Sequence, residues 1–382
     1  MSAVAPNGPG ALAVAAVQGI SPYVIGKPIS ELTRELGVTD IVKLASNENP
    51  LGPSPLALAA AQAALADTLL YPDGNGFDLK DALARHHGVS TAQITLGNGS
   101  NDLLILLAEA FLDGTRNAVI SQYAFAIYGL VVQATGARAK VTPALPVDSA
   151  MPNGHDLQAM LAAIDADTRL VFIANPNNPT GSWVEDAALR AFLDAVPPTT
   201  LVVLDEAYFE YARRFGCTDG STLLDRHPNL VVLRTFSKAH ALAGLRVGYS
   251  LSHPDVANML NRVRAPFNVT IPALAAAEAA LGDAGQAPRA VALVEAGLAQ
   301  WQAAAPSLGV RVFPSAGNFV LVDVAAGGRS GQQIYEALLR HGVIVRPVGG
   351  YGLPRCVRIT LGTVEQNQRA IDALRQCLAA GT

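Results

Sequence analysis

From about residue 90 onward, short apolar runs alternate with longer segments that have the periodicity of amphipathic helices. The runs are Gln93–Leu96, Ala118–Ser121, Leu170–Ala174, Leu201–Leu204, Leu230–Leu233 and Val247–Leu251, and the helical patterns include Asp102–Leu112, Asp156–Ile164 and Asp186–Val196. This alternation predicts βαβ units and a mostly parallel sheet flanked by helices. Because the runs are continuously apolar, we expect strands that are covered on both faces. The predicted fold class is therefore α/β.

The pattern changes after about residue 270, where a smaller α/β domain is expected. An Ala-rich helical region from Ala273 to about Ala305 precedes short predicted strands at Arg311–Phe313, Asn318–Val322, Val343–Val345 and Val357–Leu361, and a last helix begins at the capping box Thr363–Gln366. At roughly 100–200 residues per domain, 382 residues suggest two domains. We expect a large domain over 51–270, a small C-terminal domain over 271–382, and an N-terminal segment over 1–50 that packs on the small domain.

The composition is that of a globular protein and argues against several functional classes. Half of the residues are apolar, and a net charge of −4 at pH 7 lacks the basic excess typical of nucleic-acid binding. The first basic residue is Lys27, so a signal peptide is not expected, and Asn117–Ala137 fits a strand, loop and helix better than a membrane span. Cys217, Cys356 and Cys377 are far apart, which favours reduced thiols in the cytoplasm over disulfides or a metal site.

Polar residues follow two of the apolar runs where the predicted strands end. Thr235-Phe236-Ser237-Lys238 comes just after Leu230–Leu233 and is followed by Arg246, while Leu201–Leu204 ends in Asp205, with Tyr208 three positions further on. A lysine amine suits covalent chemistry with an aldehyde, an aspartate suits a ring nitrogen, and hydroxyls with an arginine suit a phosphate. The combination predicts a pyridoxal phosphate site.

Each of these residues also has a simpler interpretation. A lysine near a strand end is usually a solvated charge, Arg246 alone would be a surface or interface residue, and Asp205 alone would be a salt-bridge partner or a helix cap. The cofactor interpretation is favoured because Lys238 has hydroxyl donors at Thr235 and Ser237 and a phosphate-binding guanidinium at Arg246 as neighbours. An aspartate that follows four apolar residues is costly to bury without a charged partner. A carboxylate there would keep a pyridine nitrogen protonated.

Two loops next to predicted strands add to this hypothesis, although each alone is only a turn. Asn175-Pro176-Asn177-Asn178-Pro179-Thr180-Gly181 contains two X-Pro bonds, which stiffen the loop, allow a cis bond and would hold the Asn178 amide in a fixed direction. Gly97-Asn98-Gly99-Ser100-Asn101-Asp102 leads into a predicted helix, where glycines allow close backbone approach and the helix N-terminus attracts phosphate.

Several short motifs follow one another along the chain: Tyr71-Pro72-Asp73-Gly74, Gly99-Ser100-Asn101, Asn178-Pro179-Thr180-Gly181, Asp205-Glu206-Ala207-Tyr208, Ser237-Lys238 and Gly244-Leu245-Arg246. In this order they resemble the fold-type-I pyridoxal-phosphate-dependent aminotransferases, in the class II family. A narrower similarity, to histidinol-phosphate aminotransferases, is based on Ser21-Pro22-Tyr23-Val24 with Gly26-Lys27-Pro28, on Leu44–Pro50 and on Arg358–Gly362. The resemblance extends from about residue 20 to the C-terminus and implies a large domain with a mostly parallel sheet plus a smaller α/β domain.

The resemblance implies a role for each matching residue around the cofactor ring. Lys238 would be the Schiff-base lysine and would move the proton between the substrate Cα and the cofactor C4′. Asp205 would pair with the pyridine nitrogen, Tyr208 and Asn178 would bond the phenolate oxygen, and Tyr123 would stack on the ring.

Further residues are implied for the phosphate of the cofactor and for the substrates. The phosphate would be held by Gly99, Ser100, Asn101, Thr235, Ser237 and Arg246, with Tyr71 contributed by the partner subunit of a homodimer. The substrate-binding residues would be Tyr23, Asn47, Arg346 and Arg358. Arg358 would take the carboxylate of glutamate or 2-oxoglutarate, and Arg346, Arg358 and Tyr23 the phosphate of histidinol phosphate.

The implied activity is ping-pong transfer of an amino group between L-histidinol phosphate and 2-oxoglutarate, in histidine biosynthesis. Three alternatives stay open: an aromatic amino acid aminotransferase, a decarboxylase of a phosphorylated amino acid with the same fold, and a regulator that keeps the domain without the activity. The chain departs from the family pattern at Asn101-Asp102, usually an acidic residue and Glu, and at His240, usually Tyr or Phe. The first change leaves the backbone donors in place.

Overall fold

The structure is a computed structural model and describes residues 8–23, 25–325 and 328–379. Val24, which belongs to one of the motifs above, and the outer ends of the expected N-terminal and C-terminal regions lie outside the described residues.

The strands form one large sheet and two smaller ones. They are β1 (Val42–Lys43), β2 (Ile94–Gly97), β3 (Asn117–Ser121), β4 (Arg138–Thr142), β5 (Thr168–Ala174), β6 (Leu201–Asp205), β7 (Leu230–Thr235), β8 (Gly248–Ser252), β9 (Arg311–Val312), β10 (Phe319–Asp323), β11 (Val343–Ile344), β12 (Arg346–Pro347) and β13 (Cys356–Thr360). The large sheet has the order β2-β8-β7-β6-β5-β3-β4. Its strands run parallel from β7 to β4, whereas β8 is antiparallel to both of its neighbours.

The helices are α1 (Ala15–Gln18), α2 (Ile29–Leu36), α3 (Pro55–Ala64), α4 (Phe77–His87), α5 (Ser100–Phe111), α6 (Ala126–Ala134), α7 (Leu157–Ala162), α8 (Asp186–Ala195), α9 (Phe209–Ala212), α10 (Pro254–Val263), α11 (Ile271–Gly282), α12 (Gln286–Leu308), α13 (Gly331–Arg340) and α14 (Val364–Ala379). Within the described residues, no helix is both long enough and apolar enough to cross a membrane.

Both faces of the large sheet are covered, as the continuously apolar runs predict. Along β6, Val202 and Leu204 belong to one hydrophobic core with side chains of α4, α7, α8 and α11. Val203, between them, belongs to a second core with side chains of α5, α6 and α10. Successive side chains of a strand point to opposite faces, so the sheet lies between two helical layers.

All the runs predicted as strands in this sheet are strands, and the predicted strand, loop and helix within 117–137 are β3 and α6. The sequence analysis missed β4, whose residues Arg138-Ala139-Lys140-Val141-Thr142 alternate polar and apolar side chains. Strand β4 can carry polar side chains because it lies at the edge of the sheet, where one side of the strand has no neighbouring strand.

A second sheet follows in the C-terminal part of the chain. It is antiparallel, has the order β12-β13-β10-β9, and packs with α12, α13 and α14 around Trp301 and Phe319. The predicted Ala-rich helical region is two helices, α11 and α12, and α11 packs against α3 and α4. The capping box at the start of α14 is confirmed, because Thr363 and Gln366 each accept a hydrogen bond from the backbone N of the other.

The N-terminal part of the chain reaches this C-terminal region through one strand pair. Strand β1 pairs in parallel with β11, so that Val42 lies opposite Val343 and Lys43 opposite Ile344. The residues directly after β1 then continue toward the carboxyl ends of β5 and β6, where the backbone N of Asn47 donates to Thr360 Oγ1 at 2.9 Å. The expected boundaries at residues 50 and 270 stay a prediction.

Candidate active site

The carboxyl ends of β5, β6 and β7 border a cavity of about 360 Å³. Most of the predicted site residues line it: Tyr23, Asn47, Ser100, Asn101, Asn178, Asp205, Tyr208, Thr235, Ser237, Lys238, Arg246, Arg346 and Arg358. They come from four distant parts of the sequence, and three parallel strands bring their central members together. Ligands in open α/β sheets commonly bind outside the carboxyl ends of the strands, which is where this cavity lies.

Asp205 is a buried carboxylate at the last position of β6. Its Oδ2 accepts a hydrogen bond from the Tyr128 hydroxyl at 2.7 Å, and its Oδ1 accepts one from the backbone N of Ala207 at 3.1 Å. Burial raises the pKa of Asp205, while the hydrogen bonds oppose that change. Both hydrogen-bond partners are neutral, so this carboxylate suits a cationic group that enters the cavity.

Lys238 lies three residues beyond the end of β7 and faces the same cavity. Its Nζ donates to the backbone O of Ser46 at 3.1 Å and lies 5.8 Å from the centre of the Tyr208 ring. Burial, together with the positive charge of Arg358, lowers the pKa of Lys238 from 10.5 to about 8. Roughly a tenth of this amine is therefore neutral at pH 7, and the neutral form is the one that acts as a nucleophile or base.

Tyr208 brings a hydroxyl group to the cavity beside these two residues. Its oxygen accepts a hydrogen bond from Asn47 Nδ2 at 2.8 Å, and Asn47 itself has a positive φ of 55°. Burial raises the pKa of Tyr208 to about 12, so the hydroxyl stays protonated at neutral pH and keeps a hydrogen to donate. The remaining direction of that donor is toward the cavity that Tyr208 lines.

A cluster of donors stands where β7 ends and α5 begins. The Thr235 hydroxyl donates to Ser237 Oγ at 3.0 Å, and Arg246 Nη1 donates to the same oxygen at 3.3 Å. Gly99, at φ 77°, precedes α5, and a Cβ at this position would overlap the Arg246 guanidinium. A guanidinium, two hydroxyls and the free N–H groups of a helix start form a site for a phosphate group.

The opposite side of the cavity carries two more arginines. Arg358, on β13, is 5% exposed and donates to Asn178 Oδ1 and to the backbone O of Ala45. Its Nε has no hydrogen-bond partner among the described residues. Arg346, on β12, lies over the ring of Tyr23 at 5.3 Å. A buried guanidinium with a free donor is suited to an anionic substrate.

The loop after β5 holds Asn178 in this position. Both of its X-Pro bonds, Asn175–Pro176 and Asn178–Pro179, are cis, as the sequence allows. The Asn177 amide adds hydrogen bonds to the Tyr123 backbone O at 2.9 Å and to Thr180 Oγ1 at 2.8 Å.

Three predicted residues are not among those that line the cavity. Gly99 lies directly behind it against Arg246, and Tyr123 is half-buried beside the Asn177 amide. Tyr71 is 82% exposed on the surface and stacks on Phe267 with ring centres 4.8 Å apart. Within one chain, therefore, Tyr71 is outside the site.

Sequence reasoning missed three polar residues of the cavity, Ser46, Glu48 and Tyr128. Tyr128 lies in the mostly apolar helix α6, where its hydroxyl was the only sign of a polar partner for Asp205. Glu48 lines the cavity and forms an ion pair with Lys43 at 2.5 Å. It stands inside the motif Leu44–Pro50, but no feature of its spacing indicates that it would face the cavity.

A second pair of charges lies on the reverse face of the large sheet. Glu206 and Arg234, each next to a site residue in sequence, form a buried ion pair in which Arg234 Nε donates to Glu206 Oε2 at 2.7 Å. Arg234 Nη2 also donates to Asp219 Oδ1 at 2.8 Å, and the backbone N of Gly220 donates to Glu206 Oε1 at 3.0 Å. Because neighbouring strand residues alternate in direction, this pair faces away from Asp205 and Thr235.

The donor set fits pyridoxal phosphate. A lysine amine of lowered pKa meets the requirement for bonding an aldehyde, and a buried carboxylate with neutral partners meets that for a protonated ring nitrogen. The donors around Ser237 suit the phosphate, and glycine at position 99 leaves room for the guanidinium beside it.

The chain was compared with known proteins. A family model described as aminotransferase class I and II matches residues 39–374. Histidinol-phosphate aminotransferase 2 of Pseudomonas aeruginosa is 55% identical over 97% of this chain and 98% of its own length. Histidinol-phosphate aminotransferase 1 of Nitrosococcus oceani is 52% identical over 96% and 97%.

A solved structure of histidinol-phosphate aminotransferase from Sinorhizobium meliloti, in complex with pyridoxal-5'-phosphate, is similar with a TM-score of 0.87. It is 33% identical and covers 97% of this chain and 98% of that chain. The predicted fold class is confirmed by this similarity. The chain belongs to the class I and II aminotransferases of fold type I, in the group of the histidinol-phosphate aminotransferases.

Proposed function

We propose that the chain is a pyridoxal-phosphate-dependent aminotransferase that transfers the amino group between L-histidinol phosphate and 2-oxoglutarate, a step of histidine biosynthesis. The observation that carries the proposal is the pairing of Lys238 and Asp205 in one cavity with the two arginines Arg346 and Arg358. The near full-length identity of 52–55% to histidinol-phosphate aminotransferases supports the substrate assignment.

Lys238 is assigned the covalent and proton-transfer work. When bound, pyridoxal phosphate supplies an aldehyde that exchanges amines and a ring that stabilises negative charge next to the reacting carbon. Lys238 Nζ, which burial makes easier to deprotonate by lowering its pKa to about 8, takes the proton from the substrate Cα. The Ser46 backbone O, which accepts a hydrogen bond from Nζ at 3.1 Å, holds the amine in one direction.

The remaining cofactor contacts follow from the positions described above. Asp205 would hold the protonated ring nitrogen, with its orientation fixed by Tyr128 and the backbone N of Ala207. Tyr208 and Asn178 would bond the phenolate oxygen. The phosphate would take the Thr235 and Ser237 hydroxyls, the Arg246 guanidinium and the N–H groups of Ser100 and Asn101 at the start of α5. Gly99 would leave room for the guanidinium beside it. Tyr123 is assigned to the face of the ring.

Two anionic ends of the substrates are assigned to the arginines. Arg358, which lines the cavity, would bind the carboxylate of glutamate or 2-oxoglutarate. Arg346 and Tyr23, which contact each other, would join Arg358 in binding the phosphate of histidinol phosphate. Asn47 contributes by orienting Tyr208 from the substrate side.

We also propose that two copies of the chain form a homodimer in the cytoplasm. Tyr71 is 82% exposed and lies outside its own cavity, which suits a residue that completes the phosphate site of the partner subunit. The three cysteines are free and buried, as expected in a reducing compartment. The division into a large domain over 51–270 and a small domain over 271–382, with residues 1–50 packed on the latter, is part of the same proposal.

Single-turnover spectroscopy tests the substrate assignment. The pyridoxal form of the enzyme is mixed with histidinol phosphate, phenylalanine or tyrosine, and the loss of the cofactor absorbance is followed. We expect the fastest conversion with histidinol phosphate. Faster conversion with phenylalanine or tyrosine would instead support an aromatic amino acid aminotransferase, and release of carbon dioxide from a phosphorylated amino acid would support the decarboxylase.

Complementation tests the dimer. Tyr71→Phe and Lys238→Ala proteins are mixed under conditions of proven subunit exchange. Each mixed dimer contains one site with both native residues, so the mixture should recover part of the activity. No recovery would contradict the assignment of Tyr71 to the partner site.

A further inference from the structure

Three segments of the chain meet beside the start of α5. They are the loop 71–77, which carries Tyr71, the turn 97–102, which carries the assigned phosphate donors, and the segment 264–268, which follows α10. Side chains of the turn and of the segment 264–268 bond to each other, and Arg264 reaches the loop at the backbone O of Gly74.

Asp102 and Asn268 hold the turn. Asp102 Oδ2 accepts from the backbone N of Asn98 at 2.8 Å and from Asn268 Nδ2 at 2.9 Å. Asn268 Nδ2 also donates to the backbone O of Leu96 at 3.2 Å, and Asn98 Nδ2 donates to the backbone O of Asn268 at 3.1 Å. The backbone that enters the phosphate-binding turn is therefore fixed by side chains from 170 residues away along the chain.

Arg264 connects this site to the Tyr71 loop. Its Nη1 donates to Asn268 Oδ1 at 2.8 Å, and its Nη2 donates to the backbone O of Gly74 at 2.8 Å. Lys80, which is 6% exposed, holds the same loop by donating to Asn75 Oδ1 at 2.9 Å. A Cβ at Gly76 would overlap Leu96, so the loop also packs directly on β2.

The stacked pair of Tyr71 and Phe267 marks the outer end of these contacts. Phe267 has a φ of 58°, a left-handed conformation that is strained for a bulky residue. Surrounding interactions must compensate that strain, and the neighbouring bonds of Arg264 and Asn268 are placed to do so. The direction of the Tyr71 ring thus depends on the same residues that hold the turn.

We propose that Asp102, Asn268 and Arg264 are positioning residues that couple order in the turn 97–102 to order in the loop 71–77. None of the three is assigned a contact with substrate or cofactor. The inference is based on the proposed function, because the ligand of the turn is taken to be the phosphate of pyridoxal phosphate. It also gives Asp102, where the family pattern usually has Glu, a specific contact to Asn268.

Coupling of this kind is reciprocal. A phosphate that fixes the turn must reduce motion of the loop, and loosening the loop must weaken binding of the phosphate by the same free energy. Backbone amide hydrogen exchange of residues 71–77, measured with and without pyridoxal phosphate, reports the first effect. The dissociation constant of pyridoxal phosphate reports the second.

The main variant is Asn268→Asp, which keeps the shape of the side chain but sets a second carboxylate against Asp102. We expect pyridoxal phosphate to bind roughly 10-fold or more weakly, and exchange in 71–77 to become insensitive to the cofactor. The double variant Asp102→Asn with Asn268→Asp restores a donor–acceptor pair and should recover most of both effects. If Asn268→Asp yields little folded protein, Arg264→Lys tests the other end of the coupling.

The matched control is Asn261→Ala. Asn261 Oδ1 accepts from Arg264 Nε at 3.1 Å on the side away from the turn, so this variant removes a hydrogen bond of the same arginine without breaking the connection. It should leave the dissociation constant and the exchange pattern unchanged. All samples are compared at concentrations where the oligomeric state is the same with and without cofactor.

The proposal is overturned if the cofactor leaves exchange in 71–77 of the wild type unchanged, or if Asn268→Asp behaves like Asn261→Ala. A wild-type protein that binds pyridoxal phosphate, shows the coupling and transaminates none of the tested amines would contradict only the proposed function. Active wild type without the coupling would contradict only this inference.

Discussion

The floor and the wall of the cavity are built in different ways. The floor consists of Asp205, Thr235, Ser237 and Lys238, which lie at the ends of two parallel strands or within three residues of them. These strands are buried between helical layers. The wall consists of Tyr23, Asn47, Arg346 and Arg358, which come from N-terminal loops and from the strands β12 and β13. The floor thus depends on one sheet, whereas the wall depends on how distant segments pack together.

We expect this structural difference to correspond to a difference in function, with the reacting groups in the floor and the substrate-selecting groups in the wall. On the proposed function, the floor would carry the groups that a reaction through a lysine-bound cofactor requires. The wall would carry cations that select the anionic ends of the substrates. Changes in the floor should therefore reduce turnover with every substrate. Changes in the wall should alter the preference among substrates.

The largest effect is expected for Lys238→Ala in the floor. The variant removes both the covalent attachment point and the proton carrier, so turnover should fall by roughly 10³-fold or more with all amines. Absorbance spectroscopy should find no cofactor–lysine band, and borohydride treatment followed by peptide mapping should find no label at position 238. Transamination by Lys238→Ala near the wild-type rate would contradict the assignment of the reacting groups to the floor.

A smaller but still general loss is expected for Asp205→Asn. The amide can keep the hydrogen bond with Tyr128 but no longer balances a positive charge on the ring nitrogen. We expect kcat to fall by roughly 10²-fold for every substrate, with little change in the ratio of kcat/KM values between substrates. Steady-state kinetics with two different amino donors measures that ratio, and a selective loss would place Asp205 functionally with the wall.

Arg346→Gln tests the wall. Losing a charged hydrogen bond costs about 1.5–3 kcal/mol, so kcat/KM for histidinol phosphate should fall about 10- to 100-fold. The value for phenylalanine should change much less, because it lacks a phosphate group. Equal losses for both substrates would mean that Arg346 supports the cavity as a whole.

The smallest expected effect is on the free energy of unfolding, and it tests the lowered pKa of Lys238 in the floor. Burial lowers the pKa of Lys238 from 10.5 to about 8, so between these values the unfolded chain holds a proton that the folded chain has released, and stability rises with pH. Below about pH 8 both states are protonated, and the folded state carries a poorly solvated charge.

Lys238→Met should therefore stabilise the cofactor-free protein at pH 7 by roughly 1–3 kcal/mol. The advantage should shrink as the pH rises toward 10.5. Urea unfolding of both proteins at pH 7 and near pH 10 measures the difference. A pH-independent difference would mean that Lys238 does not titrate in this range in the folded state.

The sequence predicted the floor better than the wall because the floor depends on one sheet and the wall on the packing of distant segments. Asp205 and Lys238 follow continuous apolar runs, and the ends of parallel strands meet at one edge of a sheet, so their proximity followed from local pattern. The placement of Arg346 and Arg358 beside Tyr23 was available only through family resemblance, because it depends on the pairing of β12 with β13 and on loop contacts over more than 300 residues.

Two further misses have physical causes. Strand β4 escaped notice because an edge strand does not need a continuously apolar sequence. Tyr128 was hidden because a tyrosine in an apolar helix is usually a core residue, and only the three-dimensional position of Asp205 gives its hydroxyl a partner.

The ion pair between Glu206 and Arg234, on the reverse face of the sheet, also disfavours a shift in the register of β6. If the register of β6 shifted by one residue against its neighbours, Glu206 would face the cavity and Asp205 would face Arg234. The cavity would then contain a carboxylate on a longer side chain. The bonds from Arg234 and Gly220 to Glu206 would be lost in that arrangement, at a cost of several charged hydrogen bonds in a dry environment. Arg234, which is not among the residues that line the cavity, would thereby favour the strand register in which Asp205 faces the cavity.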